Sequence, residues 1–596
     1  MLAVELAATY AIAGALPLKV YADRVRRLMT KDALRHVVGR LDRMPLGPSH
    51  DTVRDLLVDW GEIEAAAADA LSPQMDDERP ALAAWRAASD AIAEAVCASW
   101  DGDSAGCRYS LASALKRIER LARAPEPAEL PTRTARGFAY DAVTPEQYIT
   151  AARGLARERS LGSVMCIGLR TIGSILAHVV AASLRRCGVP ASVRSLRPRG
   201  EPFDRRVEIG PALRAALANS GAACFAIVDE GPGLSGSSFA SVADMLATIG
   251  VDTGRIVLFP SREMPESALR SARGRAVWSR HSKPMTTFDD LWVRSGRLFG
   301  TGAIEDLSAG AWRRTAGLTS SSQPDPVPPV QPQHERRKYR RRSETVSIAR
   351  FVGFGRRGGA RFERALVLHD AGFGARPRGL AHGFLEQNWI HGWPPTPSAP
   401  GLLTRIAEYL TFVGREFMTG EPESVDDLQE IVLTNAGSIA GLNLTAVDAL
   451  ARQARGCDAP LVQVDGRMLP HEWILSHERV MKVDALDHHD DGFWPGCRDI
   501  GWDLAGAIAE FDLDDAAASY LVRRYRRLSG DRAIGLRLPL IEAAYLAYRF
   551  GYATVAADAL GDVPDGRGFS VLRERYRRAL VARLASAGQR RRGLAI

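Results

Sequence analysis

Cysteine is scarce in this chain and has no pattern. The seven residues, Cys97, Cys107, Cys166, Cys187, Cys224, Cys457 and Cys497, are odd in number and often lie in apolar runs. That excludes a disulfide scaffold and metal-type spacing, and predicts reduced core thiols. No apolar run reaches the length of a membrane span, and the opening Met1-Leu-Ala-Val-Glu-Leu lacks a signal peptide's charged start. A cytoplasmic protein without membrane contact is therefore expected. The net charge of +8 comes with no nucleic-acid motif, so arginine abundance suits phosphate-rich small ligands rather than a polynucleotide. What remains is a 596-residue chain with 46% hydrophobic and 25% charged residues, room for about three domains.

Apolar spacing of three and four predicts helices at Met1–Gly14, Pro17–Met29, Thr30–Met44, Asp51–Leu71, Arg79–Ala98 and Ala105–Ala122, an all-α domain over 1–125. Trp60, Trp85 and Trp100 read as core anchors there. Pro125–Pro131 reads as a linker, and no catalytic constellation is visible.

The most informative stretch is Ala226–Phe239. A buried strand, Cys224 to Val228, delivers Asp229 and Glu230 to its C-terminal edge, and the glycine- and serine-rich turn Gly233, Leu234, Ser235, Gly236, Ser237, Ser238 leads into a helix. Free N–H groups and hydroxyls at a helix N-terminus suit a phosphate, and the two carboxylates suit vicinal ribose hydroxyls. Upstream, a second apolar strand ends at Gly168, Leu169, Arg170 and Thr171, and a basic, Pro/Gly-broken segment covers Val193–Glu208. In this order the segments resemble the type I phosphoribosyltransferases, with four residues rather than three between the acids and Ser235-Gly236. The resemblance implies a Rossmann-like α/β domain over 130–295 that uses phosphoribosyl pyrophosphate (PRPP) with Mg²⁺. It implies ribose contacts from Asp229 and Glu230, pyrophosphate contacts from Arg170 and its loop, a flexible lid at 193–208, and acceptor recognition near Trp278–Phe288.

A strand from Ser347 passes into the glycine-rich turn around Gly353–Gly359 and a helix over Ala360–Ala371, followed by a hydrophobic segment, Gly379–Gly392. Asp465–Leu475, Val480–Asp487 and Cys497–Ala505 come later. Their order resembles the aminoglycoside/choline-kinase-like phosphotransferases, best at Asp499 and Trp502-Asp-Leu-Ala505, and implies a protein-kinase-like α+β domain over 302–596 whose lobes are joined at 379–392. Aligned on its proline, the catalytic-Asp position falls on Arg467 and the metal-binding Asn position on Glu472, while Asp484 matches the metal-loop Asp. The resemblance makes Arg350 and Glu363 the phosphate-side ion pair, and Glu472 and Asp484 the metal ligands. Residues 319–334 are proline-rich and expected to be disordered, within the first lobe. His488-His489-Asp490-Asp491 reads as a polar loop beside a nucleotide pocket.

The expected protein is thus multidomain α/β: an all-α N-terminal part, a phosphoribosyltransferase-like domain and a kinase-like domain. The leading reaction is phosphoribosyl transfer to a small, nucleobase-like acceptor. The alternatives are a non-catalytic PRPP- or nucleotide-sensing regulator and an ATP-dependent small-molecule kinase. A phosphorylated small molecule is the expected partner, and self-association stays open.

Overall fold

The computed structural model describes residues 18–592 apart from 22–24, 202, 301, 319–326, 440, 441, 443, 458 and 478, with side chains to residue 586. The helix expected at Met1–Gly14 lies outside the described residues.

Four helices form the first layer: Thr30–Asp42, His50–Leu71, Pro80–Trp100 and Ser104–Arg123. Ser49 and Asp103 cap two of them by accepting from Thr52 N and Gly106 N, and Pro80 starts a third, where its missing N–H costs nothing. Trp60 and Trp85 stack at 5.5 Å, fully buried; Trp100 is only partly buried. Residues 26–29 depart from the helical expectation. Arg26–Met29 is a strand paired antiparallel with Glu129–Thr132, part of the expected linker.

Glu146, fully buried on the next helix, pins this layer. It receives His50 Nε2 at 2.6 Å and lies 3.7 Å from Arg54. Burial pushes its carboxyl up, but His50 and Arg54 outweigh that and hold it at about 2. Its stabilising effect is therefore full above the ordinary carboxyl range and lost as pH falls through about 2. Glu146→Gln should cost about 2 kcal/mol at pH 7 and shrink to nothing near pH 2, read from urea midpoints at both pH values.

The second layer is a four-stranded parallel sheet in the order Ala191–Leu196, Val164–Leu169, Cys224–Val228, Ile256–Phe259. Val164–Leu169 and Cys224–Val228 are buried at every position, as strands covered on both faces must be. The chain leaves these two central strands in opposite directions. Their C-terminal ends therefore flank a topological switch point, where open α/β sheets bind ligands. Glycine permits the close approach there: a Cβ on Gly173 would lie 2.3 Å from the Val228 carbonyl oxygen. The helix Ile172–Arg186 packs against the first layer, and one continuous core runs from Leu34 through Ile175 to Phe384, joining that layer to one face of the parallel sheet and to the antiparallel sheet. The other face of the parallel sheet buries a second core around Ile167, Phe225 and Leu246.

The third part begins with a five-stranded antiparallel sheet in the order Pro377–Ala381, Phe384–Asn388, Val346–Phe351, Lys338–Arg342, Ala303–Asp306. The helix Gly355–Asp370 follows the strand Val346–Phe351. The segment expected to join two lobes is instead mostly a hairpin of this sheet, turning at His382 and Gly383 with left-handed φ of 51° and 77°. The chain then enters a helical assembly, Leu402–Glu416 through Ile534–Leu560 and Pro564–Arg592, with its own core, one small hairpin and one further two-stranded pair.

Part of the segment expected to be disordered is packed. Val330 and Gln331 are buried, and Val330 N donates to Asp565 Oδ1 at 3.1 Å on the last helix. Residues 319–326 of that stretch lie outside the described residues. The basic run after it is strand and ion pairs, including Arg337–Asp289 at 2.7 Å and Arg341–Glu386 at 2.7 Å. Four cysteines, Cys97, Cys107, Cys166 and Cys224, are buried free thiols. Among the described residues no helix is long and apolar enough to cross a membrane.

Candidate functional site

The acid pair at the parallel sheet sits where the sequence places it. Asp229 and Glu230 are half-buried at the end of Cys224–Val228. Tyr148 Oη donates to Asp229 O at 2.7 Å, and Ser261 N donates to Glu230 O at 3.1 Å. Burial and the neighbouring Glu230 push Asp229 far up, and burial with Asp141 raises Glu230 to about 7. One acid is already engaged, because Gly137 N donates to Glu230 Oε2 at 2.7 Å. The following turn needs its glycines: Gly233 and Gly236 are left-handed, and a Cβ on Gly236 would lie 3.1 Å from Gly274 Cα. Ser235 and Ser237 hydroxyls bond each other at 2.9 Å, and Leu234 O accepts from Arg270 N at 2.9 Å.

The anion-binding role expected of Arg170 does not survive. Its side chain is buried and ion-paired with Asp76 and, at 3.2 Å, with Asp69, both from the helical layer. Gly168 and Leu169 are buried strand end, and Thr171 Oγ1 accepts from Arg197 at 3.4 Å. Arg197 also pairs with Asp69, and Arg199 pairs with Asp76 at 3.2 Å. The lid expected to be flexible is thus clamped to internal carboxylates, with Arg199 and Arg206 bridged antiparallel. Trp278 and Phe288, expected near an acceptor, are core residues, and Trp278 Nε1 donates to Met264 O at 2.9 Å.

The second site is built around the turn Asp465-Gly466-Arg467. Asp503, in the first turn of Gly501–Glu510 and fully buried, accepts from Asp465 N and Gly466 N, both at 2.7 Å. Asp499 accepts from Gly501 N at 2.9 Å and from Arg537 at 2.6 Å, anchoring the same helix start. The residues that fit the phosphotransferase pattern best are therefore the ones that fix the turn. Burial and Asp465 raise the Asp503 carboxyl to about 7.

Behind the turn lies a buried charge cluster. Lys482 Nζ lies 2.7 Å from Glu472 Oε2 and 3.0 Å from Asp465 Oδ2, and also donates to Asp484 O. Asp465 Oδ2 accepts from Tyr409 Oη at 3.0 Å, while its Oδ1 is buried without a hydrogen bond. Arg350 pairs with Asp484. His488 lies 3.7 Å from both Asp484 and Asp465, and its Nδ1 contacts Asp465 O at 2.9 Å. Burial alone would raise Asp465 and Asp484, but Lys482 on one and Arg350 on the other hold both below the ordinary range. Glu472 moves the other way, pushed up by burial and by Asp484 and Asp465 against the pull of Lys482. His488 is raised, since the surrounding carboxylates outweigh burial and Arg467.

Glu363 corrects another expectation. It is exposed on a helix whose buried face carries Arg361 and Arg364, so Arg350 turns to Asp484 instead. The glycine-rich turn before that helix is filled by the neighbouring module: Phe354 N donates to Phe138 O at 3.2 Å. Arg467, where the pattern has its catalytic Asp, pairs with Asp491 at 3.3 Å. Lys482 and His488 went unrecognised as site residues, although Lys482 ends the strand Arg479–Lys482 only two positions before Asp484.

No family model matches this sequence, and no curated protein matches it. Among solved structures, a choline/ethanolamine kinase family protein from Mesorhizobium loti is similar at 17% identity and TM-score 0.31, over 42% of this chain and 88% of that one. Choline kinase LicA from Streptococcus pneumoniae gives 14% and 0.32, over 46% and 98%. A macrolide 2'-phosphotransferase type I gives 12% and 0.29, over 40% and 87%. At these scores none bears on the chemistry argued below, which rests on the residues themselves.

Proposed function

We propose that the antiparallel sheet and the helical assembly form a kinase-like module that transfers a phosphoryl group from ATP to a small hydroxylated molecule. The carrying observation is the convergence of Glu472, Asp484 and His488, whose ligand atoms lie within 4.8 Å of one another behind the turn held by Asp503. Charge favours a divalent cation at these three residues. Lys482, shared by Asp465 and Glu472, and Arg350, on Asp484, are two cations against three carboxylates. This excess negative charge, with burial, pushes Glu472 and His488 toward their protonated forms. Mg²⁺ held there would neutralise charge on the transferring phosphate.

The remaining roles belong to the chain. Arg350 can exchange Asp484 for a phosphate oxygen, and Lys482 keeps Asp465 ionised and holds Glu472 in place. Arg467 cannot accept a proton, but phosphoryl transfer depends mostly on positioning and charge stabilisation rather than on a strong base. With Mg-ATP and a panel of hydroxylated small molecules, ADP release is expected from the wild type. The Glu472→Gln/Asp484→Asn variant should lose at least about a hundredfold in rate, while Asp229→Asn keeps it. No ADP release with any acceptor, or release indifferent to Asp484, would sink the reading.

A second reading, PRPP binding at Asp229–Ser238, is favoured by the acid pair standing at the switch point of the parallel sheet. Pyrophosphate release from PRPP that Asp229→Asn abolishes would select it.

A further inference from the structure

His488 sets the Glu472–Asp484 cluster apart from an all-oxygen cation site. Its side chain is 9% exposed, and its Nδ1 lies 2.9 Å from Asp465 O. A carbonyl oxygen only accepts, so in the neutral ring Nδ1 carries the hydrogen and Nε2 the lone pair. Nε2 lies 3.7 Å from Asp484 Oδ2 and, among the described residues, makes no hydrogen bond. A nitrogen lone pair and a carboxylate oxygen that face each other repel, and a cation between them turns the repulsion into attraction.

The two carboxylates are not used up by their partners. Glu472 gives Oε2 to Lys482 at 2.7 Å and Asp484 gives Oδ1 to Arg350, so each keeps a second oxygen. Ligand atoms of Glu472, Asp484 and His488 come within 4.8 Å of one another. Atoms about 2.1 Å from one ion stand roughly 3 to 4 Å apart, and the His488–Asp484 pair already meets that spacing. The supports behind the ligands are in place as well. The Asp465 carbonyl orients the imidazole from its far nitrogen, as ligating histidines require, and Asp503 fixes the Asp465 turn through two backbone amides. Lys482 holds Glu472 and donates to Asp484 O, which steadies both acids from one ammonium.

Donor type decides which ion such a place prefers. Mg²⁺ takes oxygen ligands and sheds water reluctantly, whereas an imidazole nitrogen favours a first-row transition ion. We propose that His488 ligates the cation through Nε2 beside Glu472 and Asp484, and that the centre therefore selects a first-row transition divalent ion over Mg²⁺. The ion's part in phosphoryl transfer rests on the reading given above; its selection rests on these three side chains.

Calorimetry of the full chain with MnCl₂ and with MgCl₂, in the absence of nucleotide, tests this. Mn²⁺ is expected to bind at least about tenfold more tightly than Mg²⁺. His488→Gln puts an oxygen where the nitrogen was. It should remove most of that preference and leave Mg²⁺ affinity within about twofold. Pulsed electron paramagnetic resonance of Mn²⁺ on the wild type should show coupling to an imidazole nitrogen, a readout that stands even if His488→Gln does not fold. Mg²⁺ bound as tightly as Mn²⁺, a preference untouched by His488→Gln, Mn²⁺ bound without nitrogen coupling, or no cation bound at all overturns the proposal. The two readings fail separately. Nitrogen-coupled Mn²⁺ without ADP release removes the phosphotransferase reading and leaves the centre standing. ADP release with Mg²⁺ bound as tightly as Mn²⁺ removes only the selection.

Discussion

Replacing Lys482 by methionine is expected to destabilise the protein by about 3–5 kcal/mol, the cost of breaking a buried ion pair from one side. The side chain is 1% exposed, and its ammonium is the one cation in direct contact with both Asp465 and Glu472 among the described residues. Methionine keeps the volume but leaves two carboxylates facing each other with Asp465 Oδ1 already lacking a hydrogen bond. The variant should also reverse the local pH dependence. In the wild type, Lys482 keeps Asp465 low, so that carboxylate stabilises above its ordinary range and the benefit is lost as pH falls. Without Lys482 burial raises both acids, the folded state binds the extra proton, and stability falls as pH rises above about 4. Urea midpoints at pH 5 and pH 8 read both effects. Adding Asp465→Asn and Glu472→Gln should recover much of the loss, because a neutral cluster no longer needs the ammonium. A loss below about 1 kcal/mol with no change of pH trend would mean that Lys482 does not neutralise this cluster.

Much of this architecture is legible in local sequence. Val164–Leu169 and Cys224–Val228 read as strands because burial on both faces demands unbroken apolar runs, and Asp229 and Glu230 necessarily follow at the edge. Asp499 and Asp503 stand out through their likeness to the phosphotransferase pattern, and the structure gives them backbone donors to hold at a helix start. What failed was partner choice. Arg170 has the residue type and place of an anion ligand, yet its carboxylates come from about a hundred residues earlier, where helical periodicity gives no sign of them. The Arg350–Glu363 spacing is right for a strand–helix pair, but the helix turns its arginine-bearing face inward and leaves Glu363 in solvent. Val330 packs although proline-rich, because Asp565 supplies an acceptor for its N–H and Arg313 binds both Asp565 and the Pro328 carbonyl. Charge pairing across the chain, invisible in any window of residues, decided each of these.

The same logic makes Asp76 the residue on which the first two layers depend most. It is 2% exposed and serves three arginines. Oδ1 pairs with Arg170, Oδ2 accepts from Arg197 N at 2.7 Å, and Arg199 reaches both oxygens, at 3.3 and 3.2 Å. Its backbone is also tied to the sheet side, donating to Glu208 O at 3.0 Å and accepting from Gly210 N at 2.8 Å. Asp76→Ala is expected to cost about 3–5 kcal/mol, since it leaves the buried Arg170 with only Asp69 and orphans the Arg197 amide. Asp69→Ala should cost less, because Asp69 is more open to water and Asp76 remains. Hydrogen exchange should speed up at 169–171 and 197–199 in Asp76→Ala while the helix Leu402–Glu416 stays protected, because that helix belongs to the other core. An anion can engage Arg170, Arg197 or Arg199 only by displacing Asp69 and Asp76. The variant should therefore bind pyrophosphate more tightly than the wild type, and equal affinity in the two would show that the acids do not guard the arginines.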